Sequence, residues 1–283
     1  TKYEFSAPIP FEKENIDKLL NINNYIEKSE IKTLYGSIPY NCELFSGFEQ
    51  YRVINPKYSA WDYWKKLIEF TLSKNVDFIY LLNSPARMPI DDENLKNRLK
   101  KLDKLLTELN KIGVNKLRIA ENRLLSYISK HYPNFQLYAS TSFEFKMLAE
   151  FKHFMFIHPY VKQIVPSHDC IKNFQILKNL KKFIKNVDIE IMVNEGCVKG
   201  CPMRNGHAQA LRCDAKNNDN VISSDYYPKF FCNNIDMYAP IHALIKANNI
   251  YPWEIHEYEK IGITNFKLVG RDGYTLDFSR YKI

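Results

Sequence analysis

Short runs of apolar, β-branched or aromatic residues recur along the whole chain and alternate with segments of helical period. Such runs bounded by turn residues are typical of strands, whereas apolar residues spaced three and four apart are typical of amphipathic helices. The pattern predicts eight strands, at Glu4–Ala7, Thr33–Gly36, Phe78–Leu82, Lys116–Ile119, Gln136–Ala139, Gln163–Val165, Ile189–Val193 and Asn265–Val269. It predicts helices at Asn15–Ile22, Trp61–Leu72, Asp92–Ile112, Asn122–His131, Ser142–Phe151, Asn173–Ile184 and Trp253–Ile261.

This alternation predicts an α/β fold built from βα units around a parallel sheet. Eight strands favour closure of that sheet into a (β/α)8 barrel of the TIM type over an open sheet. The chain has no Pro/Gly/Ser-rich linker, internal repeat or low-complexity tract. We therefore expect a single domain over residues 1–283, with one long cysteine-bearing loop at residues 194–252 after the seventh strand.

Composition and charge narrow the class of partner. Of the 283 residues, 45% are hydrophobic and 25% are charged, as in a globular chain. No window approaches the roughly 18 unbroken apolar residues of a membrane helix, so we expect no membrane insertion. The net charge of +8 favours an anionic partner such as RNA or a carboxylate-bearing ligand. Alternatively, the excess lysine only solvates amphipathic helix faces.

The cysteines are the strongest chemical signal in the chain. Four of them, Cys197, Cys201, Cys213 and Cys232, have the spacing C-x3-C-x11-C-x18-C. Thiolates select zinc or an iron–sulfur centre, and four of them complete either coordination shell. Gly200 and Pro202 predict a turn in which the sulfurs of the tight first pair point at one centre.

The spacing leaves several interpretations open. A structural zinc site usually has two tight cysteine pairs and this loop has one, so the pattern favours a cluster, with zinc as the alternative. Free cysteines also serve as small buried hydrophobic residues, which is what we expect of Cys42 and Cys170. The chain is long enough for a proper core and nothing at Thr1 resembles a secretory signal. We therefore expect a cytoplasmic protein without a disulfide framework.

Polar residues near the cysteines are candidate catalytic groups. Arg204 suits a bidentate carboxylate clamp, and His207 suits proton transfer near neutral pH. The alternative for both is to orient the loop through hydrogen bonds. Glu43 and Glu195 are candidate general acids or bases, although a lone loop glutamate is more often only solvated.

Other polar residues fall at the predicted carboxyl ends of strands, which form the active face of a parallel barrel. Asn83, Ser140 and Ser167 are candidate substrate-binding residues there, with capping of the next helix as the alternative. Lys267 and Arg271, on the last strand, are candidates for holding an anionic group of the substrate. The sequence thus predicts a reaction site at the mouth of the barrel, between the cysteine loop and the last strand.

Three blocks late in the chain carry a resemblance. They are Asn194-Glu195-Gly196-Cys197 with Cys201-Pro202, Arg204, His207 and Cys232; the run from Trp253 to Ile263; and the run from Phe266 to Arg271. These blocks resemble the signature of the peptidase U32 family. Weaker matches upstream, at Tyr35-Gly36-Ser37, Leu81-Leu82-Asn83 and Ala139-Ser140-Thr141, extend the similarity over nearly the whole chain. Where the family more often has an Arg-Pro-Glu-Asp-Leu-like segment, this chain has Tyr251-Pro252-Trp253-Glu254-Ile255 and lacks the basic residue.

The resemblance implies a TIM-barrel-like enzyme in which the four cysteines hold a [4Fe–4S] cluster. It implies oxygen-independent hydroxylation, or a related redox modification, of a small molecule, an RNA base or a peptide. A partner subunit of the same family is a further expectation. One alternative is a non-redox barrel in which zinc only holds the long loop in place and which binds RNA or an anionic ligand. The other is a peptidase, as the family name suggests.

Overall fold

Eight parallel strands form a closed barrel in a computed structural model of the chain, which describes residues 2–38, 60–83, 92–195, 197, 199–204 and 248–269. All eight predicted strands are present, in barrel order β1 to β8. They are β1 (Tyr3–Pro8), β2 (Ser29–Gly36), β3 (Asp77–Leu82), β4 (Lys116–Ile119), β5 (Gln136–Ala139), β6 (Val161–Ile164), β7 (Asp188–Met192) and β8 (Asn265–Lys267).

Within the described residues, one α-helix lies in each of the seven connections between successive strands. The helices are α1 (Lys13–Asn21), α2 (Trp61–Ser73), α3 (Asp92–Lys111), α4 (Asn122–His131), α5 (Leu148–Ile157), α6 (Phe174–Phe183) and α7 (Ile255–Glu259). The (β/α)8 barrel is thereby confirmed. None of the helices in the described ranges combines the length and the apolar character that crossing a membrane requires.

Strand β8 closes the barrel by pairing with both of its neighbours. It pairs in parallel with β1 through Glu4 and Asn265, and with β7 through Glu190 and Asn265. Because every strand runs in the same direction, all the carboxyl ends meet at one rim. The loops that follow β5, β6 and β7 therefore converge there.

Alternating residues of each strand divide the interior into two layers. Outward residues such as Phe78, Tyr80 and Leu82 of β3 join the large apolar core between the sheet and the helices. The intervening Ile79 and Leu81 face the barrel lumen, where they form a separate small cluster with Tyr35 and Tyr138. Because both faces of the strands are buried, their sequences are nearly continuous apolar runs.

Charged and polar side chains cross the rest of the lumen, where barrels more often pack branched apolar residues. Arg118 Nη2 of β4 lies 2.7 Å from Glu190 Oε2 of β7 and donates to Gln163 Oε1 of β6 at 2.5 Å. Ser6 Oγ of β1 donates to Glu190 Oε1 at 2.7 Å. The Arg118–Glu190 contact is an ion pair by distance but is poorly aligned as a hydrogen bond, and Arg118 Nε and Nη1 have no hydrogen-bond partner among the described residues.

The fifth helix begins later than the sequence pattern predicts. Instead of a helix over Ser142–Phe151, a 3₁₀ turn at Thr141–Phe143 is followed by Glu144 in the left-handed region, with φ 54°. Glu144 directs the chain so that Phe145 enters the core at 6% exposure. Helix α5 then starts at Leu148, where the Glu150 carboxylate accepts from the Lys146 and Met147 amides at 2.6 and 2.9 Å.

Glu190→Ala should destabilise the protein by about 3–5 kcal/mol, because it leaves the fully buried Arg118 charge uncompensated. The matched control is Asp17→Ala, which removes the exposed partner of Lys74 and should cost at most about 1 kcal/mol. Urea unfolding monitored by circular dichroism measures both variants. Equal midpoints for the two would show that the lumen ion pair does not carry the stability assigned to it.

Candidate functional site at the barrel mouth

The tight cysteine pair lies on the loop that follows β7, at the carboxyl rim of the barrel. Cys197 and Cys201 are both partly buried. Between them Gly200 adopts φ 70°, a left-handed conformation that suits glycine and turns the chain back on itself. The predicted turn around this pair is present.

The cysteine loop is fixed to the last strand at its base. Asn194 Nδ2 donates to the Val269 carbonyl at 2.7 Å, and Asn194 Oδ1 accepts from the Val269 amide at 2.6 Å. The amide of Val193 donates to the Lys267 carbonyl, and the carbonyl of Val193 accepts from Ile250. One asparagine side chain therefore extends the pairing of β7 with β8 beyond the strands.

Arg204 is held between two carboxylates from different loops. Its Nε donates to Glu144 Oε1 at 3.3 Å, and its Nη2 lies 3.7 Å from Glu195 Oε2. Glu144 also accepts from Ser167 Oγ at 2.7 Å, so the network joins the loops after β5, β6 and β7. The Arg204 charge also lowers the pKa of the Cys197 thiol, although burial raises that pKa by more. These contacts favour the loop-orienting role for Arg204.

Asp169 makes a second connection between the loops after β6 and β7. Its Oδ1 accepts from the Gly200 amide at 2.8 Å, and its Oδ2 pairs with Lys146 Nζ at 2.8 Å. Burial of the carboxyl raises its pKa, but the hydrogen bonds from Lys146 and Gly200 outweigh burial and hold the pKa below the ordinary value. The carboxylate thus remains charged through the neutral and mildly acidic range, where it fixes the cysteine turn.

His168 lies at the centre of these charges and was missed by the sequence analysis. Its side chain is fully buried, and neither ring nitrogen has a hydrogen-bond partner among the described residues, although Nε2 lies 3.3 Å from Asp169 Oδ1. Burial, with the nearby Arg204 charge, lowers its pKa, so the imidazole is neutral near pH 7. A neutral imidazole with a free lone pair is suited to accept a hydrogen bond or a proton.

The described thiols form part, but not all, of the predicted metal site. Burial raises the pKa of Cys197 to about 11, against the opposing effect of Arg204, so a metal would have to displace a proton there. No group of three or more metal-ligating side chains occurs within the described ranges. The other two predicted ligands, Cys213 and Cys232, lie outside those ranges.

Cys170 is placed where the sequence analysis expects it. It belongs to the apolar core, and its Sγ donates to the Phe145 carbonyl at 3.5 Å. Burial raises its pKa to about 12. The second predicted buried thiol, Cys42, lies outside the described residues.

The predicted substrate-binding residues are spread over the rim and the lumen. Asn83 is buried, and its Oδ1 has no hydrogen-bond partner among the described residues. Ser140 Oγ accepts from the Ser142 amide at 3.2 Å, which is the capping role weighed for it. Lys267 is buried in the lumen, with its ammonium 4.4 Å from the centre of the Tyr35 ring. The predicted groups Glu43, His207 and Arg271 lie outside the described residues.

Comparison with solved structures shows a U32-like fold. The U32 peptidase Mk0906 superposes with a TM-score of 0.61 over 96% of this chain and 94% of that one, at 11% sequence identity. An O-GlcNAc hydrolase from Thermobaculum terrenum matches with a TM-score of 0.44 over 72% of this chain and 49% of that one, also at 11% identity. No family model and no curated protein matches the sequence.

Asp169→Asn should loosen the cysteine turn, because it weakens the charge-assisted hydrogen bond from the Gly200 amide. Such bonds contribute about 1.5–3 kcal/mol, so the Gly200 amide should exchange with deuterium roughly 10-fold to 100-fold faster. Hydrogen exchange at pH 7 measures this, with the exposed Asp62→Asn on α2 as the control. Unchanged exchange at Gly200 would show that the Asp169 carboxylate does not fix the cysteine turn.

Proposed function

We propose that the chain is an iron–sulfur enzyme whose reaction takes place at the carboxyl mouth of the barrel. Cys197, Cys201, Cys213 and Cys232 would hold a [4Fe–4S] cluster, which supplies electron transfer or substrate activation when bound. The reaction would be an oxygen-independent hydroxylation, or a related redox modification, of a small molecule, an RNA base or a peptide. The observation that carries the proposal is the position of the cysteine turn, which Asp169 and Glu144 hold through hydrogen bonds on the rim of a barrel with a U32-like fold.

The side chains around the turn have separate tasks in this proposal. Arg204, held by Glu144 and Glu195, orients the turn and favours the thiolate of Cys197. His168 and His207 are the groups suited to move a proton, and Lys267 and Arg271 would attract an anionic group of the substrate. Asn83 would orient the substrate through its side-chain oxygen, which has no hydrogen-bond partner in the described part of the chain.

The second candidate is a zinc-stapled barrel that binds RNA or an anionic ligand without redox chemistry. The same thiols support it, because four thiolates also complete a zinc shell. The peptidase reading of the family name is less well supported by the geometry. A cysteine nucleophile requires a base beside its sulfur, whereas the described side chain that lowers the pKa of Cys197 is the Arg204 guanidinium, which is not a base.

Anaerobic purification should give a brown protein with about four iron and four sulfide per chain. Replacement of Cys201 or Cys213 by Ala should abolish the cluster, because an open corner exposes iron and sulfide to solvent. Cys170→Ala is the control and should leave the metal content unchanged, since that thiol is in the core. A colourless protein with stoichiometric zinc would support the second candidate, and full iron retention in Cys213→Ala would show that the ligand set is wrong.

Arg271→Ala and His207→Ala should each remove turnover without removing iron, because substrate binding and cluster binding use different side chains. Cys201→Ala should remove both. Iron analysis and anaerobic turnover, followed by mass spectrometry of the product, measure the two properties separately. If Arg271→Ala and His207→Ala both kept full activity, the reaction site would lie elsewhere and the cysteine loop would be structural.

A further inference from the structure

A groove on the outer surface, between α6 and the end of α7, is distinct from the mouth. It encloses about 600 Å³. Its apolar lining residues are Phe174 and Ile261, which we call the floor, and its lysines are Lys178, Lys181, Lys182 and Lys260, which we call the rim. We call this feature the α6–α7 groove.

The lysines of the rim are not neutralised by the acidic residues around them. Glu257 is the acidic residue that lines the groove, and it already pairs with Lys260 and His256, each at 2.7 Å. Within the described ranges, no carboxylate lies within ion-pair distance of Lys178 or Lys182, and both side chains are exposed. The groove therefore presents an excess of positive charge to solvent.

Helix stability explains only part of this rim. Lys181 and Lys182 lie in the last turn of α6, where cations interact favourably with the helix dipole. Lys260 caps the C-terminus of α7, so the dipole of that helix accounts for it in the same way. Lys178 lies in the middle of α6 and has no such role. The dipole also does not explain why the lysines line the same groove as two apolar side chains, of which Phe174 remains 36% exposed.

Specific contacts between α6 and α7 fix the shape of the groove. The Phe174 ring packs against the buried Tyr258 of α7, with ring centroids 4.9 Å apart. The alkyl chain of Lys181 runs beside Gly262, the left-handed residue that follows α7. An added Cβ at Gly262 would lie 3.5 Å from Lys181 Cε. The groove is thus part of the packed interface between the two helices.

We propose that the α6–α7 groove docks an acidic segment of a partner protein that inserts a large apolar side chain between the helices. Carboxylates of the segment would neutralise Lys178, Lys181 and Lys182, and the apolar side chain would cover Phe174 and Ile261. An amphipathic helix laid into a groove makes this combination of contacts. Charge complementarity would also accelerate the encounter.

The apolar floor favours a protein segment over single-stranded RNA. A phosphodiester backbone would meet the lysines but has no apolar group for the floor. Bases bind by stacking on fully open aromatic faces, whereas contact with Tyr258 leaves the Phe174 ring only partly exposed. RNA is therefore the competing outcome of the test.

The test uses a fluorescein-labelled amphipathic peptide of about 18 residues, with glutamates on one helical face and leucine and phenylalanine on the other. Fluorescence anisotropy should detect saturable binding to the full chain at low ionic strength, weakening as salt screens the charges. Lys178→Glu with Lys182→Glu should weaken binding about tenfold or more. Phe174→Ala should also weaken it, without removing its salt dependence.

The matched control is Lys96→Glu with Lys100→Glu on α3, an exposed pair with the same spacing and the same change in net charge. It should bind the peptide like the unaltered chain. Equal loss in the control, no binding to the unaltered chain, or tighter binding of an RNA of equal length through Lys178 and Lys182 would each overturn the proposal. If the double glutamate variant fails to fold, Lys178→Gln with Lys182→Gln replaces it. The assay needs no metal, so its failure and the failure of the proposed enzyme function are distinguishable.

Discussion

The pairing of the first strand with the last is the constraint on which the other features depend. Once β8 pairs with β1, with Glu4 opposite Asn265 and the Glu4 amide donating to the Thr264 carbonyl, the parallel sheet has no free edge and all strand ends meet at one rim. That closure brings residues far apart in sequence, such as Asn194 and Val269, within hydrogen-bonding distance. The cysteine turn is thus supported by the barrel as a whole.

Charge inside the barrel and charge at its mouth are arranged differently. In the lumen, Arg118 and Glu190 are almost fully removed from water, so each depends on the other for compensation. At the mouth, Arg204 has two carboxylate partners and remains partly accessible. The lumen pair therefore bears mainly on folding, whereas the mouth network can reorganise around a ligand.

The strands could be predicted because their apolar runs are short, bounded by turn residues and separated by helical periods. The start of α5 could not be predicted in this way, because it depends on tertiary contacts. Phe145 is buried in the core, and Glu144 reaches Ser167 and Arg204 on other loops. A local periodicity contains no information about such distant partners.

The candidate site, like the fold, could be predicted only where the sequence itself carries a signal. Chemically distinctive residues, Cys197, Cys201 and Arg204, indicated the loop from sequence alone. His168 and Asp169 were missed, although they are the third and fourth residues after the predicted strand Gln163–Val165 and so carried a positional signal. Their importance arises from burial and from contacts with Gly200 and Lys146, which only the folded chain reveals.

The left-handed backbone of Glu144 sets stability and site integrity against each other. A residue with a Cβ costs about 1–2 kcal/mol in this conformation, and glycine would relieve most of that strain. Yet the Glu144 carboxylate is the group that joins Ser167 to Arg204. Glycine at this position would therefore relax the backbone only by removing the support of the cysteine turn, so the strained conformation of Glu144 belongs to the construction of the mouth.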